Sequence, residues 1–389
     1  MTSERKDPHI LVVVGTRPEV LKLIPVIDAL KEQRGVQSTL VFTGQHDSLV
    51  SDTIHGMTFD PDVSLNLMSQ DQSLYDLVNK CMLQLKEIVQ DLRPQCIMVQ
   101  GDTATAFAAS MVAFMEGIPL AHVEAGLRSH NKKEPFPEEG YRRLIDVLAN
   151  FHFAPTDMSA QNLRREGVPE ENIYITGNTI VDALNTIVPQ CRTVQNPELS
   201  SLLEKSQSKL VLLTAHRRES FGEPLANIFE AVKNLTLMDS EVEIIYPVHP
   251  NPNVSERSKD LRNNDRIHLL DPLSYEDLLL TLQHVHLVMT DSGGIQEEAP
   301  SFGLHTIVLR NNTERQEGVA AGIATIVGTD KELITSTALQ KLKAYQPVSE
   351  MFDVSVNPYG DGKASRRIAD IVASKLTGNP RSTRDWCGP

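Results

Sequence analysis

Short runs of β-branched and apolar residues alternate along the chain with segments whose apolar positions recur at helical spacing, the rhythm of parallel βαβ units. In the first half, the runs Ile10–Val14, Thr39–Phe42, Cys96–Gln100, Pro119–Val123, Phe151–Phe153 and Ile173–Thr176 predict strands. Between the second and third, Leu74, Leu77, Val78, Cys81, Leu85, Ile88, Val89 and Leu92 fall on one helical face, and Pro94 closes the segment. A second series reads as strands at Leu210–Thr214, Glu243–Val248, Ile267–Leu269, Leu287–Thr290, Thr306–Leu309 and Ala324–Val327. Pro189 to Lys209, with its prolines, serines and weak periodicity, reads as a connecting or surface segment. A last helix is predicted to begin after Gly360-Asp361-Gly362 and to run to Leu376.

The chain of 389 residues exceeds one typical domain of about 100–200 residues, so two domains are expected. The fold class is α/β, with two Rossmann-like doubly wound domains facing a cleft. Residues 1–178 form an N-terminal domain and 179–365 a C-terminal one, with 366–389 a helix and tail packing back on the first. In such sheets ligands sit beyond the carboxyl ends of the strands, which directs attention to the residues that follow each run.

Composition narrows the function. A formal charge of −14 argues against nucleic-acid binding, which needs a basic face. An anionic ligand would then have to be met by local cations or backbone N–H groups. Cys81, Cys96, Cys191 and Cys387 form no metal-ligand spacing, and read as reduced thiols. The run Ile10–Val14 is too short for a signal peptide, and no stretch reaches membrane-spanning length. A cytoplasmic protein without membrane partners is the expectation.

Several strand exits carry chemistry. The first is followed by Gly15-Thr16-Arg17-Pro18-Glu19, with Lys22 on the ensuing helix. Pro18 suits a first helical turn, and Arg17 is placed where a bidentate donor could meet a phosphate, or could be a solvated arginine. Gln100 is followed by Gly101-Asp102-Thr103, in which Asp102 could equally be a helix cap. In His122-Val123-Glu124, the two polar residues are two apart and so share a face of an extended chain; a third metal ligand with suitable spacing is missing. Glu138, after Pro135-Phe136-Pro137, falls in a first helical turn, where the dipole favours the ionised form. In the second half, His216-Arg217-Arg218 and His249 follow strands, and His216 suits phosphate contact or proton exchange. Asp291-Ser292-Gly293-Gly294 combines free N–H groups, close approach and a positive helix end, with Glu298 one turn on to accept from a ribose diol. By contrast, Gly360-Asp361-Gly362-Lys363-Ala364-Ser365 lacks a preceding strand and the Lys-Ser adjacency of a phosphate loop, and the first strand lacks G-x-G-x-x-G.

Taken together, these residues resemble the non-hydrolysing UDP-N-acetylglucosamine 2-epimerases, a family with the glycosyltransferase-B fold. The match runs from Gly15-Thr16-Arg17-Pro18-Glu19 to Asn357-Pro358-Tyr359-Gly360-Asp361-Gly362. Between them stand Gln100 to Thr103, His122 to Arg128, Pro135 to Glu139, Gly177-Asn178-Thr179, His216 to Glu219, Tyr246 to His249 and Asp291 to Pro300. The resemblance implies removal of the C2 proton of UDP-N-acetylglucosamine with loss of UDP, giving 2-acetamidoglucal. UDP then re-adds with reprotonation on the opposite face, giving UDP-N-acetylmannosamine. Such chemistry needs an acid and a base on two faces of C2 and charge stabilisation for departing UDP.

By position, the resemblance makes Asp102, Glu124 and Glu138 the acid/base carboxylates, with Lys22 and His216 also catalytic. Arg17, Lys22, His216, Ser292, Gly293, Gly294 and Glu298 would bind the UDP-sugar. Neither redox cofactor nor metal is required, and a homodimer is implied. Gln45, His46, Glu138 and His249 match an allosteric substrate site, whereas Ser48 and Asp71 stand where that site has a glutamine and an arginine. Gln316 replaces a usual proline, and Leu304-His305 a common Lys-Pro. Rival readings are a 2-epimerase of a modified UDP-sugar such as UDP-diacetamido-glucuronic acid, with Lys132 or Lys133 meeting the extra carboxylate, a retaining glycosyltransferase, and a nucleotide-sugar sensor.

Overall fold

A computed structural model describes residues 7–44, 59–67, 72–205, 208–345 and 352–388. Gln45, His46, Ser48 and Asp71 lie outside them. The chain divides into two compact units, Met1–Asn185 with Tyr359–Pro389, and Thr186–Pro358.

The first unit is built on a parallel sheet of β1 (His9–Val14), β2 (Gln37–Phe42), β3 (Val63–Ser64), β4 (Cys96–Gln100), β5 (Leu120–Val123), β6 (Phe151–Ala154) and β7 (Ile173–Ile175), in the order β3-β2-β1-β4-β5-β6-β7. Its helices are α1 (Arg17–Glu32), α2 (Leu74–Leu92), α3 (Ala104–Met115), α4 (Glu138–Leu148), α5 (Asp157–Arg165) and α6 (Thr179–Ile187), the last of which runs across the boundary between units. The second unit repeats the plan with β8 (Lys209–Thr214), β9 (Val242–Pro247), β10 (Ile267–Leu270), β11 (Leu287–Thr290), β12 (Thr306–Val308) and β13 (Ala324–Ile326), ordered β10-β9-β8-β11-β12-β13. With it go α7 (Pro197–Lys205), α8 (Glu223–Met238), α9 (Pro252–Ser258), α10 (Tyr275–His284), α11 (Gly293–Glu298), α12 (Gln316–Ala320) and α13 (Lys331–Ala344). The chain ends its regular structure in α14 (Ala364–Thr377), which returns to the first unit and packs on α1. Among the described residues every strand pair is parallel (for example Val99 opposite His122 and Leu213 opposite Met289).

All twelve predicted strands form. The two-residue β3 escaped the pattern because so short a run carries no alternation to read. Pro189 to Lys209 departs from the reading as a connection, for it contains α7. Pro197 opens that helix, the Asn196 carboxamide accepts from the N–H groups of Glu198 and Leu199, and Leu199 is buried. On α2, Leu77, Cys81, Leu85 and Val89 face the core, while Leu74 and Leu92, at its ends, are exposed. The four cysteines are free thiols.

In each sheet the strand order reverses once, between β1 and β4 and between β8 and β11. Loops diverge above such a reversal and leave room for a ligand. Gly15-Thr16-Arg17 and Gly101-Asp102 follow the first pair, and Ala215-His216 and Asp291-Ser292-Gly293 follow the second. The topology therefore gathers most of the predicted polar residues at two reversal points.

Candidate active site

In the first unit, Lys22 lies on the inward face of α1, and its Nζ donates to Glu124 Oε2 in a buried ion pair. Asn178 Nδ2 donates to the same carboxylate oxygen at 3.4 Å, and Asn178 is itself held by its N–H on the Tyr359 carbonyl at 2.7 Å. Glu124 does not share a strand face with His122. Strand β5 ends at Val123, and Glu124 takes φ +71°, a left-handed conformation rare outside glycine and asparagine. A non-glycine residue held there costs on the order of 1–3 kcal/mol and persists only where its surroundings enforce it. The enforcement is visible: the N–H groups of Glu124 and Ala125 both bond the Phe153 carbonyl at 3.1 Å. The turn swings the carboxylate over Gly101, where an added methyl would lie 3.9 Å from Glu124 Oε1.

Next to that glycine, Asp102 is half-buried and accepts from Arg142 Nη2, on α4. Arg142 Nη1 also donates to the buried Glu139 at 2.8 Å, and Glu139 takes a second hydrogen bond from the Ser129 N–H at 3.0 Å. Removing one member of such a buried ionic set leaves the others desolvated and unpaired. Asp102 is thus more than a cap; Thr103 performs the capping, its hydroxyl accepting from the Ala106 N–H at 3.0 Å. Glu138 opens α4, as expected, and its charge helps push the Tyr141 hydroxyl upward, second to burial.

Glu19 gathers the loop below. It accepts from the Gly15 N–H (3.1 Å), the Thr16 N–H and hydroxyl (2.7 Å each) and the Thr103 hydroxyl (2.7 Å). Burial raises its carboxyl from 4.5 to about 7 in spite of those four donors. Arg17 is half-buried at the start of α1.

In the second unit, Asp291 is fully buried and accepts from the N–H groups of His216 and Arg217, both at 2.8 Å. His216 Nδ1 lies 3.4 Å from the other carboxylate oxygen, and its ring stacks on His249 with centroids 5.2 Å apart. Burial pushes the His216 imidazole down, against the pull of Asp291, so its neutral form dominates at pH 7. The Ser292 N–H is already taken by the Thr290 hydroxyl at 2.9 Å. Those of Gly293 and Gly294 belong to the first turn of α11, where helix geometry supplies no carbonyl. Glu298 Oε1 accepts from the Tyr275 hydroxyl at 3.1 Å.

Gly293 has a second reason to be glycine. A Cβ there would sit 2.8 Å from Arg315 Cζ, so the guanidinium passes against the bare backbone of α11. Arg315 is tethered by Glu297 at 2.9 Å and by Glu314. Sequence reasoning picked out neither Arg315 nor Arg142. Arg142 lies three residues beyond the run Pro135 to Glu139 and Arg315 directly before Gln316, but only tertiary packing reveals their partners.

Among the described residues, no group of three or more His, Cys, Asp or Glu side chains is arranged to hold a metal ion, and no helix is long and apolar enough to cross a membrane.

Two parallel sheets in separate compact units, each gathering polar residues at a reversal of strand order, define a doubly wound α/β protein of two Rossmann-like units. More narrowly, the chain belongs to the UDP-N-acetylglucosamine 2-epimerase family, whose model matches residues 28–373. The Bacillus subtilis UDP-N-acetylglucosamine 2-epimerase is 41% identical over 366 residues, covering 94% of this chain and 95% of that protein. Among solved structures, the S. aureus MnaA–UDP co-structure superposes with a TM-score of 0.86 at 38% identity, covering 97% of this chain and 100% of the other. The Neisseria meningitidis UDP-GlcNAc 2-epimerase, crystallised bound to UDP-GlcNAc, gives 0.83 at 36% identity, with 95% and 100% covered.

Proposed function

We propose that the protein reversibly epimerises UDP-N-acetylglucosamine at C2, giving UDP-N-acetylmannosamine. The observation that carries this reading is the pair of carboxylates at adjacent turns of the first unit, Glu124 with Lys22 and Asp102 with Arg142. Each has its own cation, so two carboxyl groups occupy different settings, as an acid and a base must. One takes the C2 proton as the C1–O bond breaks; the electron pair of the C–H bond becomes the C1=C2 double bond of 2-acetamidoglucal, and UDP departs with the C1–O pair. In the return step a UDP oxygen re-forms the bond at C1 while the other group delivers a proton to the opposite face of C2. Glu138, in the first turn of α4, is the third carboxylate of this set.

The second unit supplies a grip on UDP: Ser292, Gly293 and Gly294 at the turn, His216 toward the diphosphate, and Glu298 toward the ribose; Arg17 and Lys22 are the substrate-binding residues proposed on the first unit. His249, stacked on His216, belongs to the same neighbourhood. The reaction needs neither redox cofactor nor metal, and supplies an activated N-acetylmannosamine for glycan synthesis. The working form is a homodimer, supported by the large apolar side chains Phe114 and Met115 of α3 and Leu144 and Val147 of α4, which are more than half or about half exposed.

Incubation of the full chain with UDP-N-acetylglucosamine alone in deuterated water tests the reading. The expected result is the manno epimer carrying deuterium at C2. Free UDP with reducing sugar would replace it by a hydrolase, and intact binding without turnover would sink the assignment.

A further inference from the structure

Beneath the two carboxylate turns lies a fully buried histidine that the proposed reaction does not use. His122, on β5, points both ring nitrogens at acceptors. Nε2 is 2.8 Å from the Gly101 carbonyl oxygen, and Nδ1 is 2.6 Å from Asp146 Oδ1, on α4. A carbonyl oxygen only accepts, so Nε2 carries a proton. The remaining question is where the proton between Nδ1 and Asp146 sits. The other oxygen of Asp146 accepts from Arg128 Nη2 at 2.7 Å and from the Gly126 N–H at 3.2 Å. Two donors, one of them a guanidinium, favour the carboxylate form. A neutral imidazole would then aim a lone pair at a carboxylate at 2.6 Å, an arrangement without any attraction.

We infer that His122 is held as an imidazolium and serves as a positioning residue, tying the Gly101-Asp102 turn to the Glu124-Ala125-Gly126 turn through Asp146. The inference rests on the epimerase reading only for what those turns do. Its geometry is compact: Gly101 and Asp102 are consecutive, and Glu124 lies between His122 and Gly126, two of the three residues that the Asp146 carboxylate bonds. Arg128 extends the set by bonding Glu166 through Nε at 3.0 Å and Nη2 at 2.6 Å, and Arg143 reaches the same carboxylate from the surface at 3.2 Å. Burial alone would raise the Asp146 carboxyl; the His122 and Arg128 charges outweigh it and hold the group well below the carboxylate range. His152 approaches the same helix from β6, but it donates to the Asp146 backbone carbonyl at 2.8 Å, and burial keeps it below the ordinary imidazole value. It hydrogen-bonds the Asp146 backbone, with its other ring nitrogen 3.3 Å from the Asn172 carbonyl oxygen, and so makes no hydrogen bond to the carboxylate.

The test labels the histidine rings of the full chain with nitrogen-15 and counts ring protons by NMR, with His122 identified by the signal lost in H122Q. The expected result is two protonated ring nitrogens on His122, one proton toward the Gly101 carbonyl and one toward Asp146. In D146N, which removes the counter-charge, one of them becomes unprotonated. A wild-type His122 with one bare ring nitrogen at pH 8 overturns the charge assignment. For the positioning role, H122Q should lower kcat about 100-fold, the scale of a misplaced reacting group, with KM and UDP binding changed less than about threefold. Wild-type kcat in a folded H122Q overturns that role. Should H122Q fail to fold, D146N identifies the same NMR signal and carries the same kinetic expectation. Absence of C2 exchange in the wild type would count against the epimerase reading, yet leave the proton count of His122 measurable and decisive.

Discussion

The two units share a topology and differ in what they place at the reversal of strand order. Above β1 and β4 the first unit sets opposite charges in contact: Lys22 on Glu124, and Arg142 on Asp102 and Glu139, most of them buried. Above β8 and β11 the second unit turns the buried Asp291 on the backbone of the His216 loop, and its buried Glu297 and Glu314 hold Arg315 in place. What remains there is a helix start, two stacked imidazoles and a guanidinium laid against Gly293. Proton transfer needs ionisable groups whose charge is controlled by neighbours, and retention of an anion needs donors fixed in advance. On the proposed reading the same scaffold carries two divisions of labour, written in the residue that follows each strand.

Substitutions can break this contrast, beginning with the largest expected effect. D102N and E124Q each remove a proposed acid/base group from the first unit and should lower C2 deuterium exchange by at least about 100-fold, within the range of general acid–base catalysis. Calorimetric UDP binding should stay within about threefold in both; unchanged exchange in either removes that residue from the reaction. R142A leaves Asp102 and the buried Glu139 without their shared cation, and should cost about 3–5 kcal/mol of stability in urea unfolding. A loss below about 1 kcal/mol would mean that solvent already reaches the set. G293A acts in the second unit, where the new methyl meets Arg315. Overpacking of this kind costs about 1–3 kcal/mol, and weaker UDP binding in calorimetry with a near-normal deuterium-exchange rate at saturating substrate is the expected signature. The last test, at Glu19, is read through pH. Its folded value, about 7 against an ordinary 4.5, means that the native state binds the proton more readily than the unfolded chain. Its contribution to stability is full below pH 4.5 and is lost as pH rises through 7. E19Q should flatten that part of the urea-midpoint profile, and an unaltered slope would assign the pH dependence elsewhere.

Much of the fold was legible because parallel strands buried on both faces read as continuous β-branched runs. Helix α7 was hidden by its prolines and serines, although one of those prolines starts it. The site was legible as residue types at strand exits. Its pairings were not: Arg142 reaches Asp102 from forty positions away, and Glu124 reaches Lys22 from over a hundred. The left-handed turn that separates Glu124 from the face of His122 was likewise invisible, because alternation along a strand assumes that the strand continues.

One last consequence concerns synthesis. Helix α1, which bears Lys22 and Glu19, packs against α14, whose first residues are held by Asp182 through the Ala364 N–H at 3.1 Å and the Ser365 N–H at 2.8 Å. Further on, the Trp386 N–H bonds the Ile175 carbonyl at 2.8 Å. The unit that is translated first is therefore completed last, after the whole of Thr186–Pro358 has left the ribosome, while that later and continuous unit has all its parts sooner. A premature stop shortly before Ala364 would spare the second unit and strip the first of the helix that backs its lysine.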